Sequence, residues 1–366
     1  MKILFLQLEG PTIGGIWEVN HTLASSFALS NEVCIISQRK NKCEIKINSS
    51  IKLITINNNV WERVRINEII KNKSFKLLKQ RIKQNISRKK DYQEIKKYIN
   101  EIKPDIIINS HYELLDAIPI TYLKKTINVF HTSYKNIKEN NYLAIKKLKK
   151  YQNKILKLVW LTKETCNLAI KDGLINSTYI YNPVKFKTKK HSNVTKNKKL
   201  ITIARLSSTE KNIDAMLSIA DKVLKKHKDW TLELYGPGLP NNLEIIKNNK
   251  NIILKGITNN VEECLLSASI YLSTSIYEGF CLSILEANTC GIPVITYNFG
   301  ESCHEEVIND INGYIVKDEQ EFIQKLDYLI TNHDKLEELS KKSIEFAKNF
   351  DIDIIIEKWY DLMGEI

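Results

Sequence analysis

Residues 270–287 read Ile-Tyr-Leu-Ser-Thr-Ser-Ile-Tyr-Glu-Gly-Phe-Cys-Leu-Ser-Ile-Leu-Glu-Ala, and this stretch decides the expected fold. Residues 270–276 are rich in β-branched and aromatic side chains, which predicts a strand. Residues 281–290 carry apolar side chains and contain no Gly or Pro before Gly291, which predicts a helix. A strand that leads through a short loop into a helix is the repeating unit of a parallel α/β sheet.

Two glutamates, Glu278 and Glu286, stand eight residues apart in this stretch. The pattern predicts Glu278 in the loop at the carboxyl end of the strand and Glu286 one to two turns into the helix. Ligands of open α/β sheets bind at the carboxyl ends of strands, and the free N–H groups that start a helix suit a phosphate. A carboxylate accepts hydrogen bonds and therefore suits sugar hydroxyls. We predict recognition of a nucleotide sugar.

The same alternation of strand and helix extends over the whole chain, which favours parallel sheets with helices on both faces. Predicted strands of the first half lie at 2–8, 32–37, 51–56, 105–109, 126–130, 156–161 and 178–181, and predicted helices at 17–29, 89–102 and 138–152. Predicted strands of the second half lie at 200–204, 231–235, 252–254, 270–274 and 293–296, and predicted helices at 211–227, 241–248, 260–267, 282–290, 319–331, 334–348 and 352–362. A Lys-rich polar stretch at 185–199 separates the halves and reads as a linker.

With 366 residues the chain is long enough for two domains. We predict a Rossmann-like acceptor-side domain over 1–183 and a Rossmann-like nucleotide-sugar-binding domain over 184–350. A C-terminal helix over 351–366 is expected to pack back on the first domain. The two doubly wound domains would face each other across a cleft, which is the usual place for a ligand.

The net charge of +13 is concentrated in two segments. Residues 63–103 contain fourteen Lys or Arg and four acidic residues, and residues 135–157 contain eight Lys and one Glu. Basic helices bind anionic lipid surfaces, nucleic acid or polyanionic polymers, or are merely solvated. No nucleic-acid-binding motif is present, so no nucleic-acid partner is expected.

The apolar run at the start of the chain ends by Gln7, which is too short for an export signal, and no apolar stretch approaches the length needed to cross a bilayer. We expect a cytoplasmic protein, with peripheral binding to the inner face of the cell membrane as an open possibility. The seven cysteines are scattered without metal-ligand spacing, which fits reduced thiols and predicts no metal site. Cys281 differs from the others because it lies inside the expected site.

A second cationic motif lies in residues 200–212, Leu-Ile-Thr-Ile-Ala-Arg-Leu-Ser-Ser-Thr-Glu-Lys-Asn. Arg205 directly follows a predicted strand, and Lys211 follows six residues later where a helix is predicted. A bidentate guanidinium and a point-charge ammonium suit a diphosphate that gains charge as it leaves. The alternative is an ordinary pair of surface cations in a basic chain.

Taken together, these motifs resemble those of the retaining glycosyltransferases of family 4, which have the GT-B fold. The resemblance covers nearly the whole chain and rests on the order and spacing of many individually weak motifs. They are Gly14-Gly15, His131 in Val129–Ser133, Asn182-Pro183-Val184, Arg205 with Lys211, Gly236, Gly256, Glu278 with Glu286, Gly291–Ile295 and Asn312–Val316.

The resemblance implies a role for each matching position. Arg205 and Lys211 would neutralise the donor diphosphate, Glu278 would hold hydroxyls of the transferred sugar, and Glu286 would hold the ribose. His131 would lie over the transferred sugar, near the reacting carbon. Gly256 and Ile257 would lie near the base, and backbone groups of the remaining positions would complete the donor site. Together these residues are Gly14, Gly15, Gly256, Ile257, Gly279, Phe280, Cys281 and Leu282. No cofactor or metal is implied, since Arg and Lys bind the diphosphate in this family.

The chain departs from the family pattern at two places. His304 stands about where a proline is common, and this affects Glu305, which matches the family's structural carboxylate. Cys281 stands where glycine is frequent, so the backbone approach to the donor is expected to differ locally. His131 also has a plain alternative, as a core or capping histidine.

The function implied is transfer of a hexosyl residue, with retention, from a UDP-linked donor to a hydroxyl acceptor in bacterial cell-surface polysaccharide or glycolipid synthesis. The acceptor would be a lipid-linked glycan or an envelope polymer. Two alternatives remain open: a sugar-nucleotide epimerase or phosphorylase of the same fold, and a non-catalytic scaffold or polyanion-binding protein. An activity that depends on a nucleotide-sugar donor would exclude the scaffold or polyanion-binding protein. Epimerisation of a sugar nucleotide without an acceptor would identify an epimerase.

Overall fold

The computed structural model describes residues 1–12, 14–40, 47–57 and 75–364. The chain divides into two compact units. The first comprises Met1–His131, Lys135–Ile180 and Ile356–Ile366, and the second comprises Thr132–Tyr134 and Tyr181–Ile355. The basic residues between 63 and 74 and Cys43 lie outside the described residues. The six described cysteines are free thiols.

The first unit contains a seven-stranded parallel sheet in the order β3-β2-β1-β4-β5-β6-β7. Its strands are β1 Lys2–Gly10, β2 Glu32–Lys40, β3 Ile51–Asn57, β4 Ile106–Asn109, β5 Thr126–Val129, β6 Lys157–Trp160 and β7 Ser177–Tyr179. Four consecutive apolar residues of β1, from Ile3 to Leu6, are at most 1% exposed. Such continuous burial is typical of a parallel strand covered on both faces.

Helices connect these strands. They are α1 Gly15–Phe27, α2 Phe75–Ile102, α3 Tyr134–Asn140, α4 Tyr142–Tyr151 and α5 Lys163–Lys171, with 3₁₀ turns at Tyr112–Ala117 and Ile120–Lys125. The last helix of the chain, α14 (Ile352–Met363), crosses from the second unit into the first. On the first unit its Tyr360 ring meets Phe27 edge-on at 5.4 Å between ring centres. The Tyr360 hydroxyl accepts a 2.8 Å hydrogen bond from Asn31.

The second unit contains a six-stranded parallel sheet in the order β10-β9-β8-β11-β12-β13. Its strands are β8 Lys199–Ile203, β9 Thr231–Tyr235, β10 Ile252–Gly256, β11 Ile270–Ser273, β12 Val294–Tyr297 and β13 Gly313–Val316. Adjacent residues of β8 enter different hydrophobic cores: Leu200 packs with Leu217 and Leu232, whereas Ile201 packs with Tyr271 and Ile284. Because side chains alternate along a strand, the sheet has a core on each face.

The helices of this unit, besides the first turns of α14, are α6 Val194–Asn197, α7 Ile213–Lys226, α8 Leu243–Asn248, α9 Val261–Leu266, α10 Leu282–Thr289, α11 Cys303–Glu306, α12 Glu319–Thr331 and α13 His333–Ala347, with 3₁₀ turns at Thr209–Lys211 and Lys348–Phe350. Among the described residues, no helix is both long and apolar enough to cross a bilayer.

The predicted class, two α/β units with parallel sheets, is confirmed, and several element boundaries are wrong. The helix predicted at 138–152 is two helices, because Asn141 leaves helical geometry with φ −150°. The helix predicted at 211–227 starts only at Ile213, since Asn212 adopts a left-handed conformation with φ 48°. The helix predicted at 89–102 begins at Phe75, and β13 was not predicted as a strand.

Candidate functional site

The candidate site lies at the carboxyl edge of the second unit's sheet, where β8 and β11 are neighbours. The chain continues from β8 to β9 and β10 on one side and from β11 to β12 and β13 on the other. This is the topological switch point of an open α/β sheet, where ligands bind. A small pocket opens there, lined by the ends of both strands together with Lys211, Cys281 and Ser283.

The side chains of Lys211 and Glu278 form an ion pair beside this pocket. Lys211 ends the 3₁₀ turn Thr209–Lys211 after β8, and Glu278 lies in the loop after β11. The hydroxyl of Thr274 fixes the turn, because it donates to the carbonyls of Lys211 (3.0 Å) and Asn212 (2.9 Å). The structure thus brings Lys211 and Glu278, two of the predicted site residues, into direct contact.

Both side chains of the pair are largely withdrawn from solvent, with 17% of Lys211 and 14% of Glu278 exposed. Burial alone would lower the pKa of Lys211, but the net shift is a rise above its ordinary value, because the paired carboxylate of Glu278 favours the charged ammonium. Lys211 is therefore a fixed positive charge at the pocket. An anionic ligand there would meet a cation already positioned by Glu278.

Arg205 lies on the loop that follows β8 and is the exposed cation of the site. Its side chain is 63% exposed, and its Nη2 lies 3.7 Å from Oε2 of Glu210. An exposed pair of this kind contributes little to stability. The guanidinium can therefore exchange Glu210 for a ligand at little cost.

Glu286 lies in α10 as predicted, and it pairs with a residue that the sequence analysis did not single out. Its Oε1 lies 3.4 Å from Nζ of Lys185, and only 9% of the Glu286 side chain is exposed. Lys185 directly follows the Asn182-Pro183-Val184 motif. The sequence analysis missed Lys185 because it lies in the predicted Lys-rich linker, where lysines are expected to be solvated.

The turn into α10 is held by a buried carboxylate. The N–H of Cys281 donates to Oε2 of Glu306 at 2.8 Å. In this structure that N–H, predicted to contact the donor, is therefore engaged inside the protein. Leu282, the first residue of α10, and Gly279 lie on either side of this contact.

Glu306 replaces Glu305 as the buried carboxylate of this region. Glu306 is 0% exposed, whereas Glu305 lies partly exposed and accepts a 2.7 Å hydrogen bond from the hydroxyl of Tyr181. The family pattern pointed to Glu305. The spacing of the buried residues Cys303, Glu306 and Val307, at i, i+3 and i+4, is the signal that could have identified the inward-facing residue.

Electrostatics make Glu306 an unusual carboxylate. Burial raises its pKa well above the ordinary value, the Cys281 N–H opposes this, and the charge of Glu278 adds to it. Its Oε1 is buried and has no hydrogen-bond partner among the described residues. Burial and then Glu278 also raise the pKa of the Cys281 thiol, to about 12. Cys281 is accordingly a neutral, buried thiol at neutral pH.

Phe280 is also buried, at 8% exposure, so its side chain serves packing. Its ring lies 6.1 Å from that of Tyr181 and 6.0 Å from that of Phe350, measured between ring centres. The predicted donor contact of residue 280 can therefore come only from its backbone. The aromatic cluster fixes the loop that carries Glu278.

The loops after β9 and β10 approach each other through two glycines. The Gly236 N–H donates to the Gly256 carbonyl at 2.8 Å. A Cβ on Gly236 would lie 1.8 Å from the Ala204 carbonyl oxygen, so no other residue fits there. Gly256 has φ +74° and open space around it, and the following Ile257 is 57% exposed. The exposed Ile257 leaves an apolar surface on which a planar base could stack.

The remaining predicted residues, Gly14, Gly15 and His131, belong to the first unit. Gly15 starts α1 directly after the loop that follows β1, and Gly14 is in extended conformation with no atom within 4 Å of an added Cβ. His131 follows β5. Burial, with a smaller effect of His111, lowers the pKa of His131 to about 4, and no described residue is a hydrogen-bond partner of its buried Nε2.

Within the described ranges, no three His, Cys, Asp or Glu residues are grouped so that they could hold a metal ion. The candidate site is instead a set of cations and carboxylates in which Lys211 and Lys185 are each paired with a glutamate. Such an arrangement can bind an anion by displacing a carboxylate, or a polyol through the carboxylate oxygens.

The fold is that of the GT-B class, as predicted. Residues 184–348 match the family described as "Glycosyl transferases group 1". The whole chain is similar to the crystal structure of a TarM variant of S. aureus in complex with Fondaparinux, alpha-GlcNAc-glycerol and UDP. The TM-score is 0.76 with 16% identity, and the match covers 100% of both chains. At this identity the likeness shows the fold alone.

The curated proteins that are similar in sequence include the following two. An uncharacterised glycosyltransferase of Haemophilus influenzae is 27% identical over 76% of this chain and 82% of its own length. The poly(glycerol-phosphate) alpha-glucosyltransferase of Bacillus subtilis is 32% identical over 44% of this chain. The match spans only 25% of the length of that second relative.

Proposed function

We propose that this protein is a retaining glycosyltransferase that moves a hexosyl residue from a UDP-linked sugar to a hydroxyl group of a cell-surface polymer or glycolipid. The observation that carries the proposal is the ion pair of Lys211 and Glu278 at the switch point, inside the segment that matches group 1 glycosyltransferases. The activities named for similar proteins support sugar transfer to a polymer, since one relative is a poly(glycerol-phosphate) alpha-glucosyltransferase.

In this proposal Arg205 and Lys211 bind the diphosphate of the donor. Arg205 is exposed and weakly paired, so it can close on a phosphate with two parallel hydrogen bonds. Lys211 is largely buried beside the pocket, where it would exchange Glu278 for the diphosphate and supply a point charge. Two such cations stabilise the charge that develops on the leaving UDP, and no metal ion is required by the proposal.

The two glutamates of the motif would hold hydroxyls at opposite ends of the donor. Glu278 would accept hydrogen bonds from the transferred sugar once the diphosphate draws Lys211 away. Glu286, whose carboxylate lies beside the ammonium of Lys185, would accept from the ribose. Gly256 and Ile257 would lie near the base, and the backbone of Gly279 and Leu282 near the phosphates or sugar.

We assign the acceptor side to the first unit. The backbone of its Gly14 and Gly15 would contact the phosphates or sugar of the donor, and the imidazole of His131 would contact the transferred sugar. Because the pKa of His131 is lowered to about 4, the ring is neutral at physiological pH. A neutral imidazole offers the transferred sugar a hydrogen bond without adding charge beside an oxocarbenium-like centre.

The reaction would proceed on one face of the sugar. The bond between the anomeric carbon and the diphosphate oxygen breaks as the acceptor oxygen approaches from the same side. The acceptor's proton passes to that departing phosphate oxygen, the new glycosidic bond forms, and UDP leaves. The chain's part is to bind and orient the donor, stabilise the leaving charge and exclude water.

A thermal-shift screen tests the donor site directly. UDP, GDP, ADP and their common sugar conjugates are added well above micromolar concentration, each with and without EDTA. A shift specific for uridine nucleotides that survives EDTA is expected, because a ligand that binds only the folded state raises the melting temperature. No shift with any nucleotide would favour a scaffold or polyanion-binding protein, and conversion of UDP-GlcNAc without acceptor would favour an epimerase.

A further inference from the structure

Helix α2 carries two apolar stripes, and only one of them belongs to the core. Ile95 and Ile99 are both 0% exposed and pack into the first unit. Asp91 fixes the same half of the helix, since its carboxylate accepts hydrogen bonds from Gln38 on β2 (2.9 Å) and Asn57 on β3 (3.3 Å). The second half of the helix is thus anchored to the sheet.

The other stripe lies on the first half of the helix and faces away from the protein. Phe75, Leu78, Ile82 and Ile86 are 68%, 40%, 50% and 56% exposed. They recur at intervals of three and four residues and so lie along one side of the helix. Ile86 precedes Ile95 by nine residues, about two and a half turns at 3.6 residues per turn, so the two stripes are on opposite sides.

The surface around the exposed stripe is strongly cationic. Residues 75–90 contain seven Lys or Arg and no Asp or Glu. Lys76, Lys79 and Lys83 are exposed on this segment, and Nζ of Lys79 lies 4.8 Å from the centre of the Phe75 ring. On the other side of the helix, Arg88 lies 3.6 Å from the Glu113 carboxylate of the first unit, which directs the apolar stripe outward.

We propose that this stripe of α2 is a docking surface for an anionic lipid bilayer. The four apolar side chains would enter the boundary between headgroups and acyl chains, and the neighbouring lysines would contact lipid phosphates. Amphipathic helices that lie in the membrane plane combine these two features, and clustered lysines and arginines add attraction to anionic leaflets. The stripe spans twelve residues, or about 18 Å at 1.5 Å per residue, which is long enough to lie flat on a surface.

A bilayer fits this surface better than the other anionic partners. A nucleic-acid backbone would match the lysines, but it would leave the four apolar side chains in water. A second copy of the chain would bring the same set of positive charges against itself. Only a lipid surface offers negative charge and an apolar layer in the same plane. The proposal concerns the first unit alone and does not depend on the proposed sugar transfer.

Co-sedimentation of the full-length chain with vesicles tests the proposal. Wild type is compared with the variant Ile82→Glu/Ile86→Glu on vesicles of pure phosphatidylcholine and of phosphatidylcholine with 30% phosphatidylglycerol. We expect wild type to bind the anionic vesicles, and this binding should weaken as the salt concentration rises. The variant should bind at least about tenfold more weakly, because it loses apolar area and gains two negative charges that the anionic lipids repel.

The matched control is Ile120→Glu/Ile175→Glu, which changes the net charge equally at two exposed apolar residues of the same unit. Its binding should remain within about twofold of wild type. If the first pair lowers the melting temperature, Phe75→Ser/Leu78→Ser repeats the test further from the sheet. Equal binding of wild type and stripe variants would overturn the proposal. So would a wild-type dimer in light scattering that the stripe variant converts to a monomer, because the stripe would then be an interface between copies.

Discussion

The buried carboxylate of Glu306 accepts the backbone N–H of Cys281 at 2.8 Å and thereby fixes the turn between Glu278 and helix α10. The backbone of Glu306 is fixed in turn, because the side-chain amide of Asn312 donates to the backbone carbonyl oxygen of Glu306 at 2.8 Å. The loop that carries the pocket's carboxylate thus depends on a side chain 25 residues further along the chain.

The first prediction concerns the protonation of Glu306. Its pKa is raised well above the ordinary value, so the folded protein binds a proton that the unfolded chain releases. The contribution of Glu306 to stability is therefore fully present below its unfolded pKa and is lost as pH rises toward its folded pKa. Glu306→Gln keeps an acceptor for the Cys281 N–H and removes this titration.

The free energy of unfolding of Glu306→Gln, measured in urea from pH 4 to pH 8, should therefore rise relative to wild type. The gain should approach about 1.4 kcal/mol per pH unit below the folded pKa. Glu306→Ala should instead lose about 1–3 kcal/mol, because the Cys281 N–H is left without a partner. A Gln variant with the same pH dependence as wild type would show that Glu306 is ionised in the fold.

Arg205→Ala should slow the release of UDP from the preferred donor by roughly 10²-fold, as for loss of a group that stabilises leaving charge. Arg205 is exposed, so the melting temperature should not change. Lys222→Ala, which removes an exposed cation paired with Glu319, is the control and should leave the rate unchanged. A rate for Arg205→Ala near that of wild type would refute the assigned role.

Glu278→Gln separates the two functions assigned to the ion pair. Without its carboxylate partner, Lys211 is available to a diphosphate at no cost, so UDP itself should bind as tightly as to wild type or a few-fold more tightly. The rate with the full donor should nevertheless fall, because the sugar hydroxyls lose an acceptor. Calorimetric titration with UDP and donor turnover check both. Equal losses of UDP affinity and of rate would mean that Glu278 merely positions Lys211.

His131 should remain neutral throughout the physiological range. Folding lowers its pKa from 6.5 to about 4, so its stabilising effect is complete above pH 6.5 and is lost as pH falls toward 4. Replacement by Phe should flatten the dependence of stability on pH between these values. An imidazole resonance of His131 that titrates near pH 6.5 by NMR would contradict the burial of this ring.

Gly236 and Gly256 both have positive φ, but they should respond differently to substitution. Gly236→Ala places a Cβ against the Ala204 carbonyl oxygen and should destabilise the fold by more than about 3 kcal/mol, combining clash and strain. Gly256→Ala meets open space and should cost only about 1–2 kcal/mol of left-handed strain. Chemical unfolding of the two variants measures the difference, and similar losses would contradict the local geometry.

The fold could be predicted from the sequence because the spacing of apolar residues within a short segment distinguishes a strand from a helix. The β1 run and the strand before Glu278 are continuous and apolar, and short loops after them fix the parallel connections. The breaks at Asn141 and Asn212 were missed because both residues lie inside helical patterns, and only tertiary contacts, such as the Thr274 hydroxyl that holds the Asn212 carbonyl, select the non-helical backbone there.

The site was less accessible to sequence reasoning where it depends on contacts between distant residues. The spacing of Glu278 and Glu286 placed both glutamates on the correct loop and helix. Nothing local could show that Lys185 pairs with Glu286, or that the N–H of Cys281 is taken by Glu306. The choice between Glu305 and Glu306 was open to sequence reasoning, because Glu306 has the helical spacing from Cys303 that places it on the same inward face.

The most direct test of the account is calorimetric titration of UDP into wild type and Arg205→Ala in the presence of EDTA, with Lys222→Ala as control. The account predicts one UDP site per chain in wild type and in the control, and affinity at least about tenfold weaker in Arg205→Ala, as expected when a charged hydrogen bond worth about 1.5–3 kcal/mol is lost. Absence of UDP binding to wild type, or undiminished binding to Arg205→Ala, would contradict it.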